Sequence, residues 1–128
     1  MVIDTSAVMA IFLCEPEMSP FRRLIDEAES SVMSAVTAFE IGIVAESKLG
    51  EASAQGFDQF LIEMEIEVIP VDRKQSEIAR IAYRKFGKGR HPAGLNFGDC
   101  FSYALARVLG EPLLAKGNDF KNCDIELL

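Results

Sequence analysis

LNFGDCFSYALARVLGEPLLAKGNDF, residues 95–120, decides the fold. Asp99 stands at the start of a helical stretch that closes at Gly110, and the apolar run Pro112–Ala115 follows at once. A helix ended by glycine and joined by a short turn to a buried-type strand reads as the return half of a β-α-β crossover. The helix then runs antiparallel to the strand. Its amino end, with Asp99, lies at the edge where the strand's carboxyl end emerges, and Asp119 follows the strand directly at that edge.

Working outward, the apolar runs Met1–Ile3, Ser31–Ser34, Glu67–Val71 and Ile125–Leu127 predict four more strands. Helical spacing falls between them. Phe57, Phe60, Leu61 and Met64 follow i, i+3, i+4, i+7 order. Ile78, Ile81, Ala82 and Phe86 form a second stripe behind Asp72-Arg73-Lys74-Gln75, which resembles a capping box. Gly50, Gly87 and Gly110 each stand just past a helical run, where a C-terminal cap belongs. Strands alternating with helices predict an α/β fold: a mostly parallel central sheet covered by helices on both faces, in three layers α/β/α. No repeat, linker or low-complexity tract divides the chain, so residues 1–128 are read as one domain.

Composition excludes several function classes. Half of the residues are apolar and a quarter charged, which is globular rather than disordered. No apolar run approaches the ~20 residues of a membrane span, and the opening MVIDTSAVMAIFLCEPE has an acid at position 4 and no basic flank, unlike a signal peptide. Cys14, Cys100 and Cys123 are odd in number and lack CxxC spacing, so they read as reduced thiols of a cytoplasmic protein. The one histidine, His91, leaves no material for a Cys/His zinc site or a histidine triad. A net charge of −7 argues against broad electrostatic binding of nucleic acid, but carboxylates gathered at one metal site would contribute to that number.

Four acids meet at one edge in this topology. Asp4 leaves the first strand, Glu40 lies in the first turns of the helix after Ser31–Ser34, and Asp99 and Asp119 bracket the last helix–strand pair. Each has a plainer reading: Asp4 as a helix N-cap, Asp99 as an N3 acid behind Asn96, Asp119 as a turn residue. Glu40, flanked by Val36, Val44 and Ile43, projects from an apolar stripe, where an unpartnered carboxylate is costly to bury. Oxygen-only donors suit Mg²⁺, with Mn²⁺ as a substitute, and such ions activate water for phosphodiester hydrolysis. Asp4 and Asp99 are the leading ligands; Glu40 and Asp119 complete the shell or position the attacking water. Thr5 and Ser6 are placed to bind a phosphate or orient Asp4. Arg84, Lys85, Lys88, Arg90 and His91 form a basic stretch in a Gly- and Pro-containing segment read as mobile, and Lys116 flanks Asp119; Arg90 and Lys116 are candidates for phosphate contact.

The stretches VIDTSAVMAIFLCEPE, SAVTAFEIGIVAESKLG, LNFGDCFSYALARVLGEPLLAKGNDF and the closing DI resemble PIN-domain ribonucleases, and in particular the VapC-type toxins of VapBC toxin–antitoxin pairs. The resemblance runs through nearly the whole chain in order. It implies a PIN-like fold and a Mg²⁺-dependent endoribonuclease, commonly a homodimer, inhibited by a cognate antitoxin. The family's first acid falls on Asp4, its helix glutamate on Glu40 and its late aspartate on Asp99. Many members carry a fourth acid two residues after a threonine; here Ala115 and Gly117 take those places, leaving Asp119 with Asn118 beside it.

Two rivals stand beside this reading. One is a catalytically silent PIN-like module that binds RNA or protein, which retention of Asp4, Glu40 and Asp99 disfavours. The other is a receiver-like phosphoacceptor, which would need paired acids after the first strand where Asp4 stands alone. Met9, Phe12, Leu13, Phe57 and Phe60 are read mainly as core, with any surplus serving a homodimer face or an antitoxin groove.

Overall fold

The computed structural model describes residues 1–128. In chain order the elements are β1 (Val2–Ile3), α1 (Thr5–Phe12), α2 (Met18–Glu27), β2 (Ser31–Ser34), α3 (Ala35–Leu49), α4 (Ala52–Glu63), β3 (Ile66–Ile69), α5 (Arg73–Phe86), α6 (Phe97–Leu109) and β4 (Leu113–Leu114). The strands form one sheet in the order β3-β2-β1-β4, and every pairing is parallel. Val2 stands between Val32 and Leu113, which fixes the register across the middle. This is the expected α/β sandwich. No helix is long and apolar enough to cross a membrane.

Side chains on these strands alternate between the two faces, as a period of two requires. Ile3, Met33 and Leu114 point into a core closed by α1–α4, whereas Val2, Val32 and Leu113 point into a second core with residues of α5 and α6. Ile3, Met33, Leu113 and Leu114 are wholly buried. Cutting one of them back to alanine costs about 2–5 kcal/mol through lost burial and the cavity left behind. Phe12 meets Phe57 and Phe60 edge-on, at 6.2 and 5.4 Å between ring centres, which ties α1 to α4.

Several boundaries differ from the sequence reading. β3 spans Ile66–Ile69 rather than Glu67–Val71, because Pro70 has no N–H to give the ladder. The run Ile125–Leu127 is reduced to a single bridge, Leu113 to Leu127, since β4 offers a neighbour only two residues. On α5 the inward positions are Gln75, Ala79, Ala82 and Phe86, while Ile81 is exposed; the stripe is rotated from the one expected. Asp72 caps α5 by accepting from the Gln75 N–H, but the Gln75 side chain turns to the Pro70 carbonyl, so the box is only half made. Gly110 is left-handed at φ 67°, whereas Gly87 is extended, and there a Cβ would run into Tyr83.

The segment after α5, read as mobile, is closed by a backbone clasp. Lys88 N–H donates to Leu95 O and Leu95 N–H to Phe86 O, both at 2.9 Å. His91 lies edge-on to Phe86, and its Nδ1 accepts from Ala93 N–H. Farther on, Asp124 accepts from Tyr103 Oη at 2.5 Å and from Lys85 Nζ at 2.9 Å, pinning the C-terminal segment across α5 and α6. The motif DI thus begins with a fastening.

Candidate active site

Because all strands are parallel, the residues after β1, β2 and β4 and the amino end of α6 share the sheet's carboxyl edge. Asp4 sits there, 3% exposed, as the N-cap of α1. Its Oδ2 accepts from the Ser6 N–H at 2.9 Å and the Ser6 hydroxyl at 2.6 Å. Its Oδ1 accepts from the Ser102 hydroxyl at 2.6 Å. Ser102 in turn lies 3.2 Å from Thr37 Oγ1; with its own proton directed at Asp4, Ser102 Oγ is the acceptor there. These charge-assisted bonds offset much of the cost of holding a carboxylate out of water.

Asp99 is the N3 residue of α6 and part of a complete capping box: Asn96 Oδ1 accepts from the Asp99 N–H, and Asp99 Oδ2 accepts from the Asn96 N–H, each at 2.9 Å. The capping role and the position at the shared edge coincide, as they do for Asp4. Asp99 is 8% exposed. Burial pushes its carboxyl up to about 7; the Asn96 N–H opposes this, and the charges of Asp4, Asp119 and Glu40 add to the rise. All three other acids therefore bear on Asp99.

Glu40 is held from two sides. It accepts a hydrogen bond from the Thr5 hydroxyl, and its carboxylate lies against the Cα of Gly98, where an added Cβ would stand 2.8 Å from Cδ. The amino end of α6 thus faces the charge, and its N–H dipoles favour an anion. Glu40 does not project from the buried stripe of α3. The inward residues of α3 are Thr37, Ile41 and Ala45; Glu40 stands on the flank beside exposed Phe39, and Ile43 is exposed too. Asp119 is exposed, near enough to raise Asp99 by charge.

No Lys or Arg neutralises this group. The ion pairs of the chain join the N-terminus to Glu111, Arg23 to Glu27, Arg73 to Glu77, Lys85 to Asp124, and Lys116 to Glu15 and Glu17. Nor are three of the acids already closed around a common point as a finished ligand cage. The donor set is oxygen-only, open and electrostatically short of a cation. That chemistry fits a hard divalent ion held by one or two carboxylates with water completing its shell, and does not fit a soft or tightly caged metal.

The candidate phosphate contacts fare differently. The Thr5 and Ser6 hydroxyls are committed to Glu40 and Asp4, so the geometry favours the orienting role over phosphate binding. Ser6 Oγ also accepts from the Lys116 N–H at 2.9 Å, bringing the end of β4 to the start of α1. The Lys116 ammonium is turned away, at 2.6 Å from Glu15 and 3.1 Å from Glu17. Arg90 is exposed, its guanidinium 5.7 Å over the Tyr83 ring. Burial, with neighbouring carboxylates, raises the Cys100 and Cys123 thiols to about 11, in keeping with thiols that serve as apolar residues.

Sequence reasoning passed over Ser102, Thr37 and Gly98. A signal existed for the first two: Ser102 follows Asp99 by one helical turn and Thr37 precedes Glu40 by one, so each shares a face with a flagged acid. Gly98 had none, because its role depends on a helix distant in sequence.

Comparison with known proteins adds four findings. The PIN domain family model matches residues 1–126. A Ribonuclease VapC of Mycolicibacterium smegmatis is 46% identical over 125 residues, covering 98% of this chain and 97% of that protein. Among solved structures, the Mycobacterium tuberculosis VapC20, described as a Sarcin-Ricin loop cleaving toxin, superposes with a TM-score of 0.81 at 18% identity, covering 99% of this chain and 97% of that one. The VapBC2 complex of Rickettsia felis, bound to a DNA fragment from its promoter, gives 0.75 at 15% identity over 99% and 95%.

Proposed function

This chain belongs to the PIN-domain family, and from that premise we propose that it is an endoribonuclease that hydrolyses RNA phosphodiester bonds with a divalent metal ion, Mg²⁺ in the first instance, as the toxin half of a toxin–antitoxin pair. The observation that carries the reading is the convergence of Asp4, Glu40 and Asp99 at one sheet edge with no basic side chain between them. Asp4 and Asp99 would hold the ion, with Glu40 and Asp119 beside it. A bound Mg²⁺ lowers the pKa of a coordinated water and offsets charge on the phosphate.

The protein's own residues do the rest. Ser6 and Ser102 hold Asp4 in one orientation from both sides, so that its lone pairs are preorganised. Thr5 does the same for Glu40, which faces the α6 amino end and is placed to accept a proton from the attacking water. A protonated Asp99 cannot serve as an anionic ligand, so its raised pKa ties cation binding to deprotonation near neutral pH.

An antitoxin partner is supported by the toxin–antitoxin complex among the structural neighbours. An exposed apolar strip of Phe39, Ile43 and Val68 between α3 and β3 suits the apolar face of a partner helix. A homodimer and a cytoplasmic location complete the proposal; light scattering of the purified protein tests the first.

The deciding experiment is cleavage of mixed structured and single-stranded RNAs by partner-free protein in Mg²⁺, Mn²⁺ or EDTA, with Asp4→Asn prepared in parallel. Cleavage that needs both metal and Asp4 is the expected result. Folded wild-type protein that cuts none of them would reduce the chain to a binding module.

A further inference from the structure

Between α5 and the start of α6 the surface opens into a cavity of about 590 Å³ whose walls include Arg80, Tyr83, Lys88, Asn96, Phe97 and Phe101. Phe97, the first residue of α6, is 72% exposed, an unusual place to leave a large ring in water. It tilts against Phe101 at 5.1 Å between centres, and Tyr83, 41% exposed, contributes another ring. Arg80 and Lys88 join no ion pair, and Arg90 stands over Tyr83 unpaired as well. In a chain of net charge −7, a cleft that combines free cations with aromatic faces departs from its surroundings.

The cleft adjoins the carboxylates. Asn96, on its wall, shares the capping box with Asp99, and Phe97 is followed directly by Gly98, which abuts Glu40. We propose that this cleft is a nucleotide subsite of the same active centre, in which a base unstacked from single-stranded RNA lies on Phe97 or Tyr83 while Arg80 and Lys88 meet the flanking phosphates. The charge pattern favours this occupant. Cations around an apolar floor suit a polyanion that presents flat aromatic faces, and ring stacking accepts any base where hydrogen bonding would select one. The volume lies in the range of small-ligand pockets, enough for one nucleotide rather than a helix. The proposal rests on the ribonuclease reading for its substrate, but the cleft can be tested without cleavage.

The test uses the full chain as wild type, Phe97→Leu, Arg80→Gln and, as a control at an exposed apolar residue elsewhere, Ile62→Ala. Two readings are taken: cleavage kinetics in Mg²⁺, and anisotropy of fluorescein-labelled short oligoribonucleotides in Ca²⁺. Thermal melts check folding. Phe97→Leu is expected to raise Kd and KM about tenfold, the scale of one lost stacking contact, with kcat within about twofold. Arg80→Gln is expected to weaken binding several-fold and flatten its salt dependence by about one phosphate contact. Ile62→Ala should match wild type. If wild type binds RNA through Phe97 yet cuts nothing, the subsite stands and the nuclease reading falls. Unchanged Kd and KM in folded Phe97→Leu would sink the subsite alone. A change in oligomeric mass, or in affinity for a protein partner, with RNA binding intact would assign the cleft to protein docking and overturn it equally.

Discussion

Ser102 donates a 2.6 Å hydrogen bond to Asp4 across 98 positions of sequence, joining the helix that carries Asp99 to the first strand of the sheet. The bond is buried and made to a carboxylate, the kind worth about 1.5–3 kcal/mol. Ser102→Ala should therefore lower unfolding free energy by about that amount in urea melts. It should also cut kcat about tenfold, because Asp4 loses one of its two anchored oxygens. Loss of stability with full activity would make Ser102 a core residue only.

Asp4→Asn and Asp99→Asn are expected to keep the fold and abolish metal-dependent cleavage, since asparagine still accepts the capping bonds but carries no charge. Asp119→Asn, at an exposed position, should cost about tenfold or less. Circular dichroism beside single-turnover cleavage separates the effects. Failure of the first two variants to fold would assign those acids to capping alone.

The raised Asp99 carboxyl has a stability consequence of definite sign. Its folded-state pKa of about 7 exceeds its ordinary value of 3.8, so between those limits the folded protein binds the extra proton. Stability from this group is present at low pH and is lost as pH rises through about 7. In EDTA, Tm should fall from pH 5 to pH 8. Asp99→Asn should flatten that slope, and Mg²⁺ should raise Tm more at pH 8 than at pH 5. A Tm independent of metal at pH 8 would contradict the cation site.

Gly98→Ala separates helix propensity from the site. Alanine normally stabilises a helix by about 0.5–1 kcal/mol relative to glycine. Here its methyl would displace the Glu40 carboxylate. The expected outcome is at least a tenfold loss of cleavage with Tm changed by a few degrees at most; normal kinetics would show that Glu40's position is immaterial.

Much of this was legible beforehand for identifiable reasons. Parallel topology follows from alternating strands and helices, and it placed Asp4 and Asp99 at one edge without any known structure. Asp4 and Asp99 also confirmed their plainer readings, because at a carboxyl edge an N-terminal cap and a metal-facing carboxylate occupy the same place. Glu40 was singled out on a helical stripe that proved to lie one face over, and Lys116 was read as a candidate phosphate contact, whereas its ammonium pairs with Glu15 and Glu17. The segment Gly87–Gly98, expected to be mobile, carries a feature composition could not show: its glycines and proline mark breakers, while the clasp between Lys88 and Leu95 is a pairing that only the fold supplies. The cleft beside Phe97 was invisible because its walls come from two helices brought side by side.

The backbone bond from the Asp4 N–H to Leu114 O, like that from Ser102 to its carboxylate, sets an order in time. During synthesis Asp4 emerges well before α6 and β4. Until those later residues are free, Asp4 has only the local bonds from Ser6, without Ser102 or Asp99 beside it. The centre is therefore assembled only after α6 has followed β1 out, and a chain broken off before Ser102 lacks that anchor of Asp4.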